Sequence, residues 1–315
     1  MQRTSQNKQP SNALDWKDLS SRSVSSVANE YKDTGPTALP QPELKQIRIG
    51  STELNYAELG NGAPVVFIHG ALSDYRIWTA QLFSLAEQYH VVSYSRRYHQ
   101  PTIATDVTNY TYRRHVDDLK ELIDRLQLAP AHLIGHSYGG ALATILAQEQ
   151  PRMIRSLVLA EPTLFSMLTR PNDKVSLRFH RIALEVLQKL AENGEDNLAV
   201  QEYINIVLGR EVFNELPADV SEIIMQNAHT LAPMLRSYFD PLAFGPESAC
   251  AIRAPALIVT GESSPKLFRS ISRELNNCLS NSRLSVLPDA SHGLHLENPV
   301  GFAGTVLDFL AQTPS

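Results

Sequence analysis

The stretch His132-Leu-Ile-Gly-His-Ser-Tyr-Gly-Gly140 decides the fold. An apolar β-type run enters Gly135-His136-Ser137-Tyr138-Gly139, a G-x-S-x-G pattern, and a helical run from Ala141 to Gln148 follows. In a strand, turn and helix context this pattern marks a sharp turn that lifts a serine hydroxyl above the sheet. Glycine is required on both flanks because a β-carbon there would strike the neighbouring strand or helix. The serine between them is held in a strained backbone conformation. Ser137 is therefore the expected nucleophile, and the competing reading is a glycine-rich turn without chemistry.

Upstream and downstream, short apolar runs alternate with helical periodicity. The β-type runs are Gln46–Ile49, Leu54–Leu59, Pro64–Ile68, His90–Tyr94, Ala131–Ile134, Arg155–Leu159, Ala256–Thr260 and Arg283–Leu287. The first two, joined by Gly50-Ser51-Thr52, read as an antiparallel hairpin, and the later ones suit strands buried on both faces of a parallel sheet. Val116, Leu119, Ile123 and Leu126 share one helix face, as do Phe268, Ile271, Leu275 and Leu279. The alternation implies an α/β fold with right-handed crossovers.

The alternation is interrupted once, between Pro162 and Ala254, where no strand is evident, and residues 163–245 form the inserted part. Phe179, Ile182, Val186 and Leu190, then Val200, Tyr203, Ile204, Val207 and Leu208, mark two amphipathic helices, with a third over Ser221 to Leu231. This is a helical insertion, read as a cap, between core segments 45–162 and 246–315. Residues 1–44 hold seven serines between Ser5 and Ser26 and prolines at 10, 36, 40 and 42, and read as an arm, mobile or packed on the body.

A serine hydroxyl needs a base. Of ten histidines, His292 in Ser291-His292-Gly293 follows the last expected strand, where such a fold gathers its reactive groups. His295 reads as a packing residue. An acyl-transfer intermediate also needs two N–H donors for its oxyanion. Tyr138, after the nucleophile, supplies one, and Ala71, after the turn His69-Gly70, the other. The acid that orients the histidine has two candidates at carboxyl ends of strands, Glu161 and Glu262.

His69-Gly70, Gly135-His-Ser-Tyr-Gly-Gly140 and Ser291-His292, in that chain order with a helical insertion after the sixth strand, resemble the α/β-hydrolase fold superfamily over residues 45–312. The resemblance implies a mostly parallel eight-stranded sheet flanked by helices, with nucleophile, acid and histidine in that order. The chain departs from the commonest pattern after the seventh strand, where relatives show G-x-x-D and this sequence has Ser264. In branches that include certain haloalkane dehalogenases and a mycotoxin lactone hydrolase, the acid follows the sixth strand instead. That placement matches Glu161 and makes it the preferred acid, with Glu262 as the alternative.

A serine at the nucleophile position argues against epoxide opening and halide displacement, which use an aspartate in these relatives. The resemblance implies a hydrolase of a small or medium hydrophobic ester, thioester or lactone, with no cofactor and no metal. Carbon–carbon hydrolysis, perhydrolase or lyase chemistry and a ligand-receptor role are the rivals. His69, Gly70, Phe165, Tyr203 and Met234 are expected substrate contacts, with Met167, Leu168 and Phe239 as further lining. Arg96-Arg97-Tyr98-His99 reads as a solvated loop, or as a greeting for an anionic group.

The net charge of −5 gives no reason to expect nucleic acid or an anionic membrane as partner. Cys250 and Cys278 lack any ligand or framework spacing. The first thirty residues contain no apolar run of signal-peptide type, so a cytoplasmic protein, monomer or homodimer, is expected.

Overall fold

The computed structural model describes residues 42–102, 107–238 and 244–313. Most of the expected arm and Phe239 lie outside the described residues. Leu44, placed in the arm by sequence, already belongs to the first strand.

Strands β1 (Leu44–Ile49) and β2 (Thr52–Leu59) form the expected hairpin, pivoting on Gly50 at φ +56°. Then follow β3 (Ala63–Ile68), α1 (Thr79–Ala86), β4 (Tyr89–Tyr94), α2 (Tyr112–Arg125), β5 (Ala131–His136), α3 (Tyr138–Glu149) and β6 (Ile154–Ala160). The eight strands lie in the order β1-β2-β4-β3-β5-β6-β7-β8, with β7 at Ala256–Gly261 and β8 at Ser282–Leu287. Only β2 runs against its neighbours, and every pair from β4 onward is parallel.

The continuous apolar runs follow from two-sided burial, because alternate side chains leave opposite faces of a strand. Val65 and Phe67 of β3 pack with Trp78, Leu82, Phe302 and Val306 on one face. Val66 and Ile68 pack with Val116, Leu119, Leu142 and Leu146 on the other.

Between β6 and β7 lie α4 (Pro171–Glu192), α5 (Asp196–Leu208), α6 (Ala218–Gln226), α7 (Leu231–Tyr238) and α8 (Pro246–Cys250). The third helix expected here is broken at Asn227, whose buried amide bonds both within the helix and to two loops outside it. Its Nδ2 donates to Asp74 Oδ2 and to the Ile223 carbonyl, both at 2.9 Å, while its Oδ1 accepts the Gln100 N–H at 2.9 Å. One side chain thus ties the inserted helices to loops of the sheet domain.

The face expected to be buried on α4 is also corrected. Phe179 is 70% and Val186 53% exposed, while Leu184, Leu187 and Ala191 are buried. The helix carries two apolar arcs, and packing against α5 and α7 takes the second. The chain returns through β7, α9 (Lys266–Cys278), β8, α10 (Leu294–Glu297) and α11 (Pro299–Ala311).

Candidate active site

Ser137 stands between the end of β5 and the start of α3 with φ +51° and ψ −116°, a strained conformation for a residue with a β-carbon. Its N–H donates to the Ala160 carbonyl at 2.9 Å, and its carbonyl accepts the N–H of Thr163 at 3.1 Å, which pins the turn to the end of β6. A β-carbon on Gly135 would lie 2.6 Å from the Gly139 carbonyl, and one on Gly139 would collide with the carbonyls of Ile68 and His69. Both flanking glycines are therefore set by close backbone approach.

The loop after β8 brings His292 over this turn. Its Nε2 is 3.0 Å from Ser137 Oγ and its Nδ1 is 2.7 Å from Glu161 Oε2. Against a carboxylate, Nδ1 carries the proton, so Nε2 is free to accept from the serine hydroxyl. The ring stacks on Phe268 at 3.9 Å between centroids, and the His136 Nε2–H donates to the His292 carbonyl at 2.8 Å. Ser291 N–H and Oγ both donate to Glu297. The ring and its loop are thus held from three sides.

Glu161 is fully buried. Its Oε1 accepts from the Thr260 hydroxyl and from the Gly261 N–H at 3.1 Å, leaving Oε2 for the imidazole. Glu262, the alternative acid, is exposed in the turn after β7, its N–H spent on the Leu287 carbonyl. The carboxylate at Nδ1 is that of Glu161, which β7 meets through the Thr260 hydroxyl and the Gly261 N–H, while Glu262 lies one residue beyond.

The two expected oxyanion donors flank the serine. Tyr138 opens α3, where the first N–H groups have no partner within the helix. A β-carbon on Gly70 would sit 3.3 Å from Ser137 Cβ, which brings Gly70 close against that serine.

Ala71, Ser137 and His292 line a cavity of about 300 Å³ walled by α5 and α6 side chains, among them Tyr203, Val207, Val220 and Ile224. Of the expected substrate contacts, Tyr203 lines it. Met234 is fully buried in the core, and Phe165 packs edge-on against Tyr238. His69, expected at the substrate, turns inward. Its ring is fully buried, Nε2 accepting the Arg96 N–H at 2.9 Å and Nδ1 donating to the Gly70 carbonyl at 2.9 Å. Val220 and Ile224 went unnoticed in the sequence, although they share one face of α6.

The loop read as solvated is buried throughout: Arg96 1%, Arg97 8%, Tyr98 8% and His99 0% exposed. Arg97 makes a two-bond pair with Asp118, both contacts at 2.7 Å, and burial still pushes the Asp118 carboxyl up against that partner's pull. Burial, reinforced by the Arg96 charge, holds the His69, His99 and His115 imidazoles well below their usual range. No group of three or more potential metal ligands occurs among the described residues, and none of their helices is long and apolar enough to cross a membrane.

The profile of the alpha/beta hydrolase fold family matches residues 63–299, so the chain belongs to that family. Among curated relatives, the sn-1-specific diacylglycerol lipase ABHD11 of Danio rerio is 26% identical over 270 residues, covering 80% of this chain and 79% of that protein. The 2-hydroxy-6-oxo-2,4-heptadienoate hydrolase of Pseudomonas putida is 28% identical over 284 residues, covering 85% and 96%. The crystal structure of the enol-lactonase from Burkholderia xenovorans LB400 shares the fold with a TM-score of 0.72 at 21% identity, covering 85% and 100%. Family membership supports an enzyme, and these relatives span lipase, lactonase and hydrolase activities.

Proposed function

We propose that the protein is a serine hydrolase that cleaves a small or medium hydrophobic ester, thioester or lactone through an acyl-enzyme on Ser137. The observation that carries this reading is His292 placed between Ser137 Oγ at 3.0 Å and Glu161 Oε2 at 2.7 Å.

In the proposed cycle Ser137 Oγ bonds to the acyl carbon as its proton passes to His292 Nε2, and Glu161 stabilises the imidazolium. The N–H groups of Ala71 and Tyr138 hold the oxyanion, a contribution of about 3–4 kcal/mol per donor. His292 returns the proton to the leaving oxygen or sulfur as the tetrahedral intermediate collapses. Water, deprotonated by the same imidazole, then releases the acid and restores Ser137. No step calls for a cofactor or metal. Residues 163–245 act as the cap, and the apolar wall that α5 and α6 give the cavity supports a hydrophobic acyl or leaving group.

The test is labelling with a fluorophosphonate together with turnover of p-nitrophenyl esters of rising chain length. Labelling and turnover in the wild type, with both lost in Ser137→Ala, support the reading, and an unreactive Ser137 rules it out. Carbon–carbon hydrolysis is the second reading, favoured by the similarity to the 2-hydroxy-6-oxo-2,4-heptadienoate hydrolase of Pseudomonas putida. Labelling without turnover of any ester selects it. The working unit is taken to be a cytoplasmic monomer or homodimer acting on a small molecule.

A further inference from the structure

Arg96 follows β4 by two residues and is 1% exposed, yet none of its bonded partners among the described residues is a carboxylate. Its Nη2 donates to the Gly70 carbonyl at 2.8 Å, Nε to the His69 carbonyl at 3.2 Å, and Nη1 to the Tyr110 hydroxyl at 2.9 Å. The guanidinium carbon lies 4.6 Å from the centre of the Tyr138 ring. Burying a cation is costly, and the groups described as bonded to this one are all neutral.

The geometry of a single peptide unit says what the cation does. The Gly70 carbonyl and the Ala71 N–H belong to the same planar trans peptide, so they point in opposite directions. Two donors hold that carbonyl from behind: Arg96 Nη2 at 2.8 Å and His69 Nδ1 at 2.9 Å. His69 is fixed in the donating tautomer because its Nε2 accepts the Arg96 backbone N–H. With the oxygen clamped, the peptide is held against rotation and the Ala71 N–H points away from the clamp, on a residue that lines the cavity together with Ser137. The same guanidinium packs on the ring of Tyr138, whose N–H is the second expected donor.

We propose that Arg96 is a positioning residue for the oxyanion hole, holding the Gly70-Ala71 peptide so that its N–H faces the reacting carbonyl oxygen, and setting a buried positive charge behind that peptide. Polarisation reinforces the alignment: a cation on the carbonyl oxygen draws electron density through the amide and makes the N–H a stronger donor. Because this charge is fixed before the reaction and excluded from water, it favours the anionic intermediate over the neutral substrate. The neutral histidines around it add no competing charge. The proposal rests on the acyl-transfer reading above.

The test compares wild type, Arg96→Gln and Arg96→Lys. Readouts are kcat and KM for p-nitrophenyl acetate, and inhibition by phenyl trifluoromethyl ketone, which forms an anionic adduct with serine, against acetophenone, which stays planar. Arg96→Gln is expected to lower kcat about 100-fold with KM within about twofold. Affinity for the trifluoromethyl ketone should fall by a similar factor while that for acetophenone stays constant. Arg96→Lys, which keeps the charge and one bond, should recover part of both losses. A lowered melting temperature with unchanged kcat and unchanged inhibitor discrimination assigns Arg96 a purely structural role and overturns the proposal. If neither Arg96 variant folds, Tyr110→Phe decides. It frees one arm of the guanidinium, and inhibitor discrimination equal to wild type overturns the proposal. Failure of the wild type itself to turn over any ester is a failure of the acyl-transfer reading, and is seen in the control before any variant is compared.

Discussion

The carboxylate of Glu161 and the imidazole of His292 meet at 2.7 Å, Oε2 to Nδ1, and the other oxygen of that carboxylate is occupied by β7 through Thr260 and Gly261. Glu161 reaches this position with φ +45° and its N–H bonded to the Val259 carbonyl at 3.1 Å. The strained backbone at the end of β6 is what turns the side chain across β7 toward the histidine. Glu161→Gln is therefore expected to lower kcat/KM by about 10³- to 10⁴-fold, since a neutral amide cannot offset the imidazolium. Glu262→Gln should stay within about twofold of wild type. The reverse order in p-nitrophenyl ester kinetics would remove Glu161 from the proposed triad.

Val220 and Ile224 put one face of α6 against the cavity that holds Ser137. Enlarging either side chain narrows a space of about 300 Å³ without touching the reacting groups. For Ile224→Phe, kcat/KM for p-nitrophenyl octanoate should drop by about tenfold or more while that for the acetate changes little. Equal losses on both esters would mean that the acyl chain lies elsewhere.

Burial gives this fold a direction of acid sensitivity. It holds the imidazoles of His69, His99, His115 and His136 well below the ordinary value, those of His132 and His180 at about 4, and that of His295 at about 3. The unfolded chain binds these protons below about pH 6.5 and the folded chain does not, so the stability they support is complete above that pH and is lost as pH falls. Each imidazole that stays neutral costs about 1.4 kcal/mol per pH unit below its unfolded value. Thermal melts should show a steep fall in Tm between pH 7 and pH 5. A Tm constant over that range would show that these rings titrate normally in the fold.

Gly139 tests the tightness of the turn separately from its chemistry. A methyl group there meets the backbone carbonyls of Ile68 and His69, which cannot step aside without parting β3 from β5. Gly139→Ala should cost about 3 kcal/mol or more, read as a shift in the urea midpoint. A soluble variant of native stability would show that the strands have slack at this point.

The sheet is legible in the sequence because two-sided burial demands uninterrupted apolar runs, and the eight expected strands coincide with the eight observed ones to within a few residues. Ser137 and His292 are legible because a sharp glycine turn and a histidine after the last strand leave little choice of position. What fails is the sense in which polar or amphipathic residues face. Arg96 to His99 look solvated because two arginines adjoin, whereas their burial depends on His69, Tyr110 and Asp118, which lie far away in the chain. On α4 the period is right and the face is wrong, because Phe179 and Leu184 lie on different apolar arcs and only tertiary packing chooses between them. Asn227 breaks a helix through partners at Asp74 and Gln100 that no local window contains.

The histidine loop closes on its partners across long reaches of chain, 155 positions to Ser137 and 131 to Glu161. A chain emerging from synthesis thus carries Ser137 well before His292 can stand beside it, and the inserted helices must be made in the interval. In the proposed triad Ser137 is an ordinary alcohol until β8 docks. On that reading, reactivity at that one hydroxyl is a clock for a late event in assembly.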